Sequence, residues 1–103
     1  MTGVAEFQSF KLKKGVAASE FLLASDKFNN EFLSKQKGYI SYKVLKKGDT
    51  WYDFLVWESE ENVSAAAEAY KSYAEKTSNH YISFIDEESQ SELLQLQIEK
   101  DYK

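Results

Sequence analysis

The run Trp51-Tyr52-Asp53-Phe54-Leu55-Val56-Trp57 constrains this chain more than any other segment. Aromatic and β-branched residues favour a pleated strand. Successive side chains of a strand point to opposite faces. Trp51, Asp53, Leu55 and Trp57 therefore share one face, and Tyr52, Phe54 and Val56 share the other. Both faces are largely apolar, so both call for cover. A chain of 103 residues reads as one domain, 1–103, whose helices can cover only one face of a sheet. The other face then needs a partner chain.

The flanking segments supply the rest of the fold. Val4 to Lys13 alternates as a first strand, with Phe10 and Leu12 opposed to Ser9, Lys11 and Lys13. From Ala18 to Gln36, the residues Phe21, Ala24, Phe28 and Phe32 fall on one helical face. Ser19 is a candidate cap for that helix, and Gly38 is placed to stop it. Tyr39 to Lys46 alternates as a second strand, with Ile40, Tyr42 and Val44 on one face and Tyr39, Ser41, Lys43 and Leu45 on the other. Lys47-Gly48-Asp49 turns it into the third strand, Thr50 to Glu58, as an antiparallel hairpin. Ser59 caps a second helix that runs to about Lys76, with Val63, Ala66, Ala67, Tyr70, Tyr73 and Ala74 as its apolar stripe. His80 to Ile85 reads equally as a short helix or a short strand, and Leu94 to Ile98 alternates as a last strand. The order βαββαβ is the ferredoxin-like α+β arrangement. It predicts a four-stranded antiparallel sheet with both helices on one face.

Composition excludes several functions. There is no cysteine, hence no disulfide, thiolate metal site or cysteine nucleophile. A single histidine, His80, excludes a multi-histidine metal site within one chain. A net charge of −4 with dispersed lysines disfavours nucleic acid. No apolar run approaches the roughly 20 residues that span a bilayer, and Met1 to Glu6 lacks the features of a signal peptide. The expectation is an acidic cytoplasmic domain without a membrane segment or bound metal.

The Lys13-Lys14-Gly15 end of strand one, the Gly38-Tyr39-Ile40-Ser41 start of strand two and, above all, Trp51 to Ser59 resemble the antibiotic-biosynthesis-monooxygenase-like proteins. These are members of the dimeric α+β barrel superfamily. The resemblance implies a homodimer with sheets packed face to face, and a pocket between sheet and helices in each subunit. It implies one of three functions. The first is cofactor-independent oxygenation of a small electron-rich aromatic compound. The second is non-catalytic small-molecule binding, as in a stress-associated dimer. The third is haem degradation, the one reading that brings in a cofactor.

Site residues follow from both arguments. Asp53 lies on an otherwise apolar face, where a carboxylate must be paired or hydrogen-bonded. It is either a structural ion pair, with Lys43 across the hairpin, or a base with a raised pKa. By resemblance to the haem-degrading members, Gln8 stands where a strand-one amide orients a substrate, Trp57 where an indole walls the pocket, and His80 where a histidine ligates haem or acts as base. Asp53 and His80 are thus the candidate catalytic residues. Gln8, Trp51, Trp57 and Tyr39 are the candidate substrate-binding residues.

Overall fold

A computed structural model describes residues 3–77 and 81–102. Strand β1 spans Val4–Leu12, helix α1 Ala18–Glu31, strand β2 Tyr39–Lys47, strand β3 Thr50–Trp57 and helix α2 Glu60–Lys76. Two short strands follow, β4 at Ile85–Asp86 and β5 at Leu94–Gln97. All pairings are antiparallel. β2 pairs with β3, β3 with β1, and both β4 and β5 with the far edge of β1. Two helices on a five-stranded antiparallel sheet make an α+β ferredoxin-like fold.

The fourth sheet position differs from the single strand that Leu94 to Ile98 predicts. It is divided between β4 and β5, because Glu87–Ser89 coils into a 3-10 turn between them. Across this gap serine side chains stand in for the missing ladder. Ser89 Oγ accepts the Lys11 N–H at 2.7 Å, and Ser91 Oγ accepts the Ser9 N–H at 2.9 Å. These bonds keep the β1 edge satisfied where no strand faces it. The segment that read equally as helix or strand, described from Tyr81, is a 3-10 turn over Tyr81–Phe84 leading into β4.

Helix α1 is shorter than its apolar pattern predicts. It ends at Glu31 and continues as a 3-10 turn over Leu33–Lys35. Its start is held by Glu20, whose carboxylate accepts the Ala17 N–H at 3.2 Å, and not by Ser19. Gly38 has φ +84°, and a Cβ there would collide with the Asn62 side chain. Only glycine lets the chain turn into β2 this close to α2. Ser59 caps α2 as its sequence predicts, accepting the Asn62 N–H at 3.2 Å.

The helix-facing side of the sheet carries Val4, Glu6, Gln8 and Phe10 from β1, opposite Trp57, Leu55, Asp53 and Trp51 of β3. Two apolar clusters fill the space beneath the helices. Phe10, Phe21, Trp51 and Ile85 form one. Val4, Phe28, Phe32, Leu33, Trp57, Val63 and Ala66 form the other. A bulge between Tyr39 and Ser41 breaks the alternation of β2. Ile40 is the extra residue, 51% exposed, and the bulge moves Tyr39 to the helix-facing side with Tyr42. The opposite side carries Phe7, Tyr52, Phe54, Val56, Leu94 and Leu96, with Leu96 51% exposed.

Phe21 is fully buried and packs edge-on against Phe10 and Trp51. Phe21→Ala should cost about 3–5 kcal/mol of unfolding free energy. Leu23→Ala, on the same helix at 70% exposure, should cost under about 0.5 kcal/mol. Urea titrations of the two variants check this, and equal midpoints would refute the placement of α1.

Candidate functional site

A cavity of about 210 Å3 lies between the sheet and the helices. Its apolar wall comes from Phe28, Phe32 and Leu33 of the α1 region, Val63 and Ala66 of α2, and Leu55 and Trp57 of β3. Its polar groups are Glu6 and Gln8 from β1, Asp53 from β3, and the hydroxyls of Tyr70 and Tyr81. The β1–β3 register brings the polar set together. Gln8 sits directly opposite Asp53, and Glu6 lies two residues along β1 on the same face.

Asp53 is 5% exposed. Tyr42 Oη donates to its Oδ1 at 3.2 Å, and the Tyr81 hydroxyl also donates to this carboxylate. Burial raises the Asp53 pKa to about 7. The two phenol donors pull it back down, and the Glu6 charge pushes it up. Both tyrosines are held above their ordinary range, by burial first and by the Asp53 charge second, so they stay neutral donors. The ring of Tyr81 stacks on Phe28 with centroids 4.3 Å apart, which fixes its hydroxyl over the site. Asp53 forms no ion pair with Lys43, which faces Phe54 across the hairpin and lies on the other side of the sheet.

Glu6 is a cavity-lining carboxylate that the sequence reading missed. Its Oε1 accepts the Trp57 indole N–H at 2.8 Å. Burial raises its pKa and the Trp57 bond lowers it. The signal was present: the alternation that turns Phe10 inward turns Glu6 inward too. Gln8 lines the cavity, with its Nε2 donating to the Ser91 carbonyl at 2.9 Å. Trp57, 2% exposed, forms part of the wall.

Trp51 and Tyr39 lie elsewhere. Trp51 belongs to the other cluster, beneath Phe21, with Lys46 Nζ 5.5 Å from its ring centroid. Tyr39 meets the edge of Trp57 and donates to Asn29 Oδ1 at 2.8 Å, so it buttresses the wall from outside the cavity. His80 lies outside the described residues. Among the described residues no three His, Cys, Asp or Glu side chains cluster as metal ligands, and no helix is long and apolar enough to cross a membrane.

The raised Asp53 pKa has a sign that stability can read. The unfolded carboxylate releases its proton near 3.8 and the folded one near 7. Between these values the folded state holds the extra proton, so stability falls as pH rises through that window and levels off above it. Full ionisation in the fold costs on the order of 4 kcal/mol. In urea titrations from pH 4.5 to 8, Asp53→Asn should flatten the decline relative to the wild type. Parallel curves for the two proteins would contradict this titration.

No protein-family model and no curated protein matches this sequence. Solved structures match over nearly the full length. A variant of SnoaB, a cofactor-independent oxygenase from Streptomyces nogalater, superposes with a TM-score of 0.72 at 12% identity, covering 96% of this chain and 95% of its own. MhuD, a haem-degrader from Mycobacterium tuberculosis solved with two haems in its active site, gives 0.68 at 16% identity, covering 97% and 99%. A Chloroflexus aurantiacus protein, named as a candidate antibiotic biosynthesis monooxygenase, gives 0.69 at 14% identity, covering 98% and 97%. At these identities the likeness is one of fold, and the fold is that of the antibiotic-biosynthesis-monooxygenase-like proteins.

Proposed function

We propose that this chain binds a small electron-rich aromatic compound in the cavity and oxygenates it without a cofactor. One observation carries the reading: Asp53, a buried carboxylate titrating at about 7, faces an aromatic-walled cavity. A base poised near neutrality suits abstraction of a phenolic proton. Tyr42 and Tyr81 stabilise the ionised carboxylate before the transfer. The phenolate then carries enough electron density on the ring to reduce oxygen. One oxygen atom becomes a new ring carbonyl and the other leaves as water, with all four electrons coming from the substrate. Trp57 and Phe28 exclude water and hold the ring, and Gln8 orients its polar edge. SnoaB, which shares the fold, is a cofactor-independent oxygenase.

The described lining suits a small ring better than a haem. A cavity of about 210 Å3 lies below the roughly 300–1,000 Å3 of most small-molecule sites. Its polar floor carries two carboxylates, Glu6 and Asp53, which would repel the propionates of a haem.

With hydroxynaphthalenes as probes, binding should quench tryptophan fluorescence, and turnover should consume oxygen. Asp53→Asn should lower kcat by about 10²–10⁴ while the Kd for the same probe stays within about threefold. Undiminished turnover in that variant, or no binding of any aromatic probe, would refute the reading.

The same proposal includes a homodimer joined through the uncovered side of the sheet. Phe7 stacks on Tyr52 there at 5.6 Å, beside Phe54 and Leu96. An apolar sheet face of this kind marks an interface. Sedimentation should give twice the 11.9 kDa of one chain, and Phe54→Lys should yield a folded protein of single-chain mass. A monomeric wild type would refute the dimer.

A further inference from the structure

Among the described residues the charged groups on the polar floor of the cavity are of one sign. Glu6 and Asp53 sit diagonally across the β1–β3 pair on its inner face. Among the described residues the ion pairs are Lys11–Asp49 and Lys71–Glu68, and neither cavity carboxylate takes part. Among the described residues no lysine lines the cavity, and the sequence contains no arginine. The neutral donors Trp57 and Tyr42 occupy one oxygen each, Glu6 Oε1 and Asp53 Oδ1. The same cavity is lined by the rings of Phe28, Phe32, Trp57, Tyr70 and Tyr81. Carboxylates removed from water and set among aromatic rings attract a cation twice over. The charges pair with it, and the rings favour it through their quadrupoles.

We propose that the ligand of this cavity is a phenol bearing a protonated amine, with Glu6 holding the ammonium group and Asp53 facing the phenolic hydroxyl. This rests on the reading of the cavity as an aromatic-ligand site and adds to it a charge on the ligand. Glu6 is suited to the anchoring role because Trp57 holds one of its oxygens in place. The division leaves Asp53, with its two phenol donors, for the proton transfer. A carboxylate-bearing phenol of the same size would meet two like charges instead.

The test is calorimetric titration of the full chain at pH 8 with three phenols of similar size. They are 4-ethylphenol, its terminal-amine analogue 4-(2-aminoethyl)phenol, and 3-(4-hydroxyphenyl)propionate. The amine should bind about tenfold tighter than the neutral phenol, and the propionate weaker than either. Glu6→Gln, which keeps an acceptor for the Trp57 indole, should remove the preference for the amine, so that the amine and 4-ethylphenol bind the variant with equal affinity. If the neutral phenol binds as tightly as the amine, the amine proposal fails and the aromatic-ligand reading stands. If the propionate binds tightest, the amine proposal fails too. If none of the three binds, both fail.

Discussion

The antiparallel pairing of β1 with β3 is the constraint on which the rest of this structure depends. Its register sets Gln8 opposite Asp53 and Phe10 opposite Trp51 on the helix-facing side. It sets Phe7 opposite Phe54 on the other side. A slip of one residue would turn Glu6 and Gln8 outward and bring Phe7 and Ser9 into the core. The two buried tryptophans define the register from the β3 side, because each needs an apolar neighbour. Val4 meets Trp57 and Phe10 meets Trp51.

Between those two anchors the inner face turns polar, and this is where the cavity opens. Phe21 closes the sheet over Trp51, and Phe28, Phe32 and Val63 close it over Trp57. The polar residues left between, beside Leu55, are Glu6, Gln8 and Asp53. Their burial is unfavourable, and each is held by a partner. Trp57 serves Glu6, the Ser91 carbonyl serves Gln8, and Tyr42 and Tyr81 serve Asp53. Neutral donors in place of cations leave Asp53 titrating near neutrality, since they offset burial only in part. A lysine partner would have driven that pKa down and left no carboxylate titrating near neutrality.

Much of the fold was legible in local pattern. The Lys47-Gly48-Asp49 turn, the Ser59 cap and the two-faced β3 each have a local physical cause, and each stands in the structure. The misjudged features depend on distant contacts. The bulge at Ile40 reverses Tyr39, and nothing in an alternating strand announces an extra residue. The break between β4 and β5 is bridged by serines that read as ordinary loop residues. Helix α1 ends early at Glu31 and gives way to the 3-10 turn over Leu33–Lys35, before the turn at Gly38 packed on Asn62 of α2.

The candidate site shows the same division. Asp53 stood out because a lone carboxylate on an apolar strand face needs an explanation within a few residues. Trp51 shares that face, yet it lies under a different part of α1, and only helix packing separates it from Trp57. Alternation within single strands thus determined which side chains share a face, because a pleat has period two. The choice among them of cavity wall, core and buttress belonged to tertiary structure. It depends on register between strands distant in sequence, and on where two helices leave the sheet uncovered.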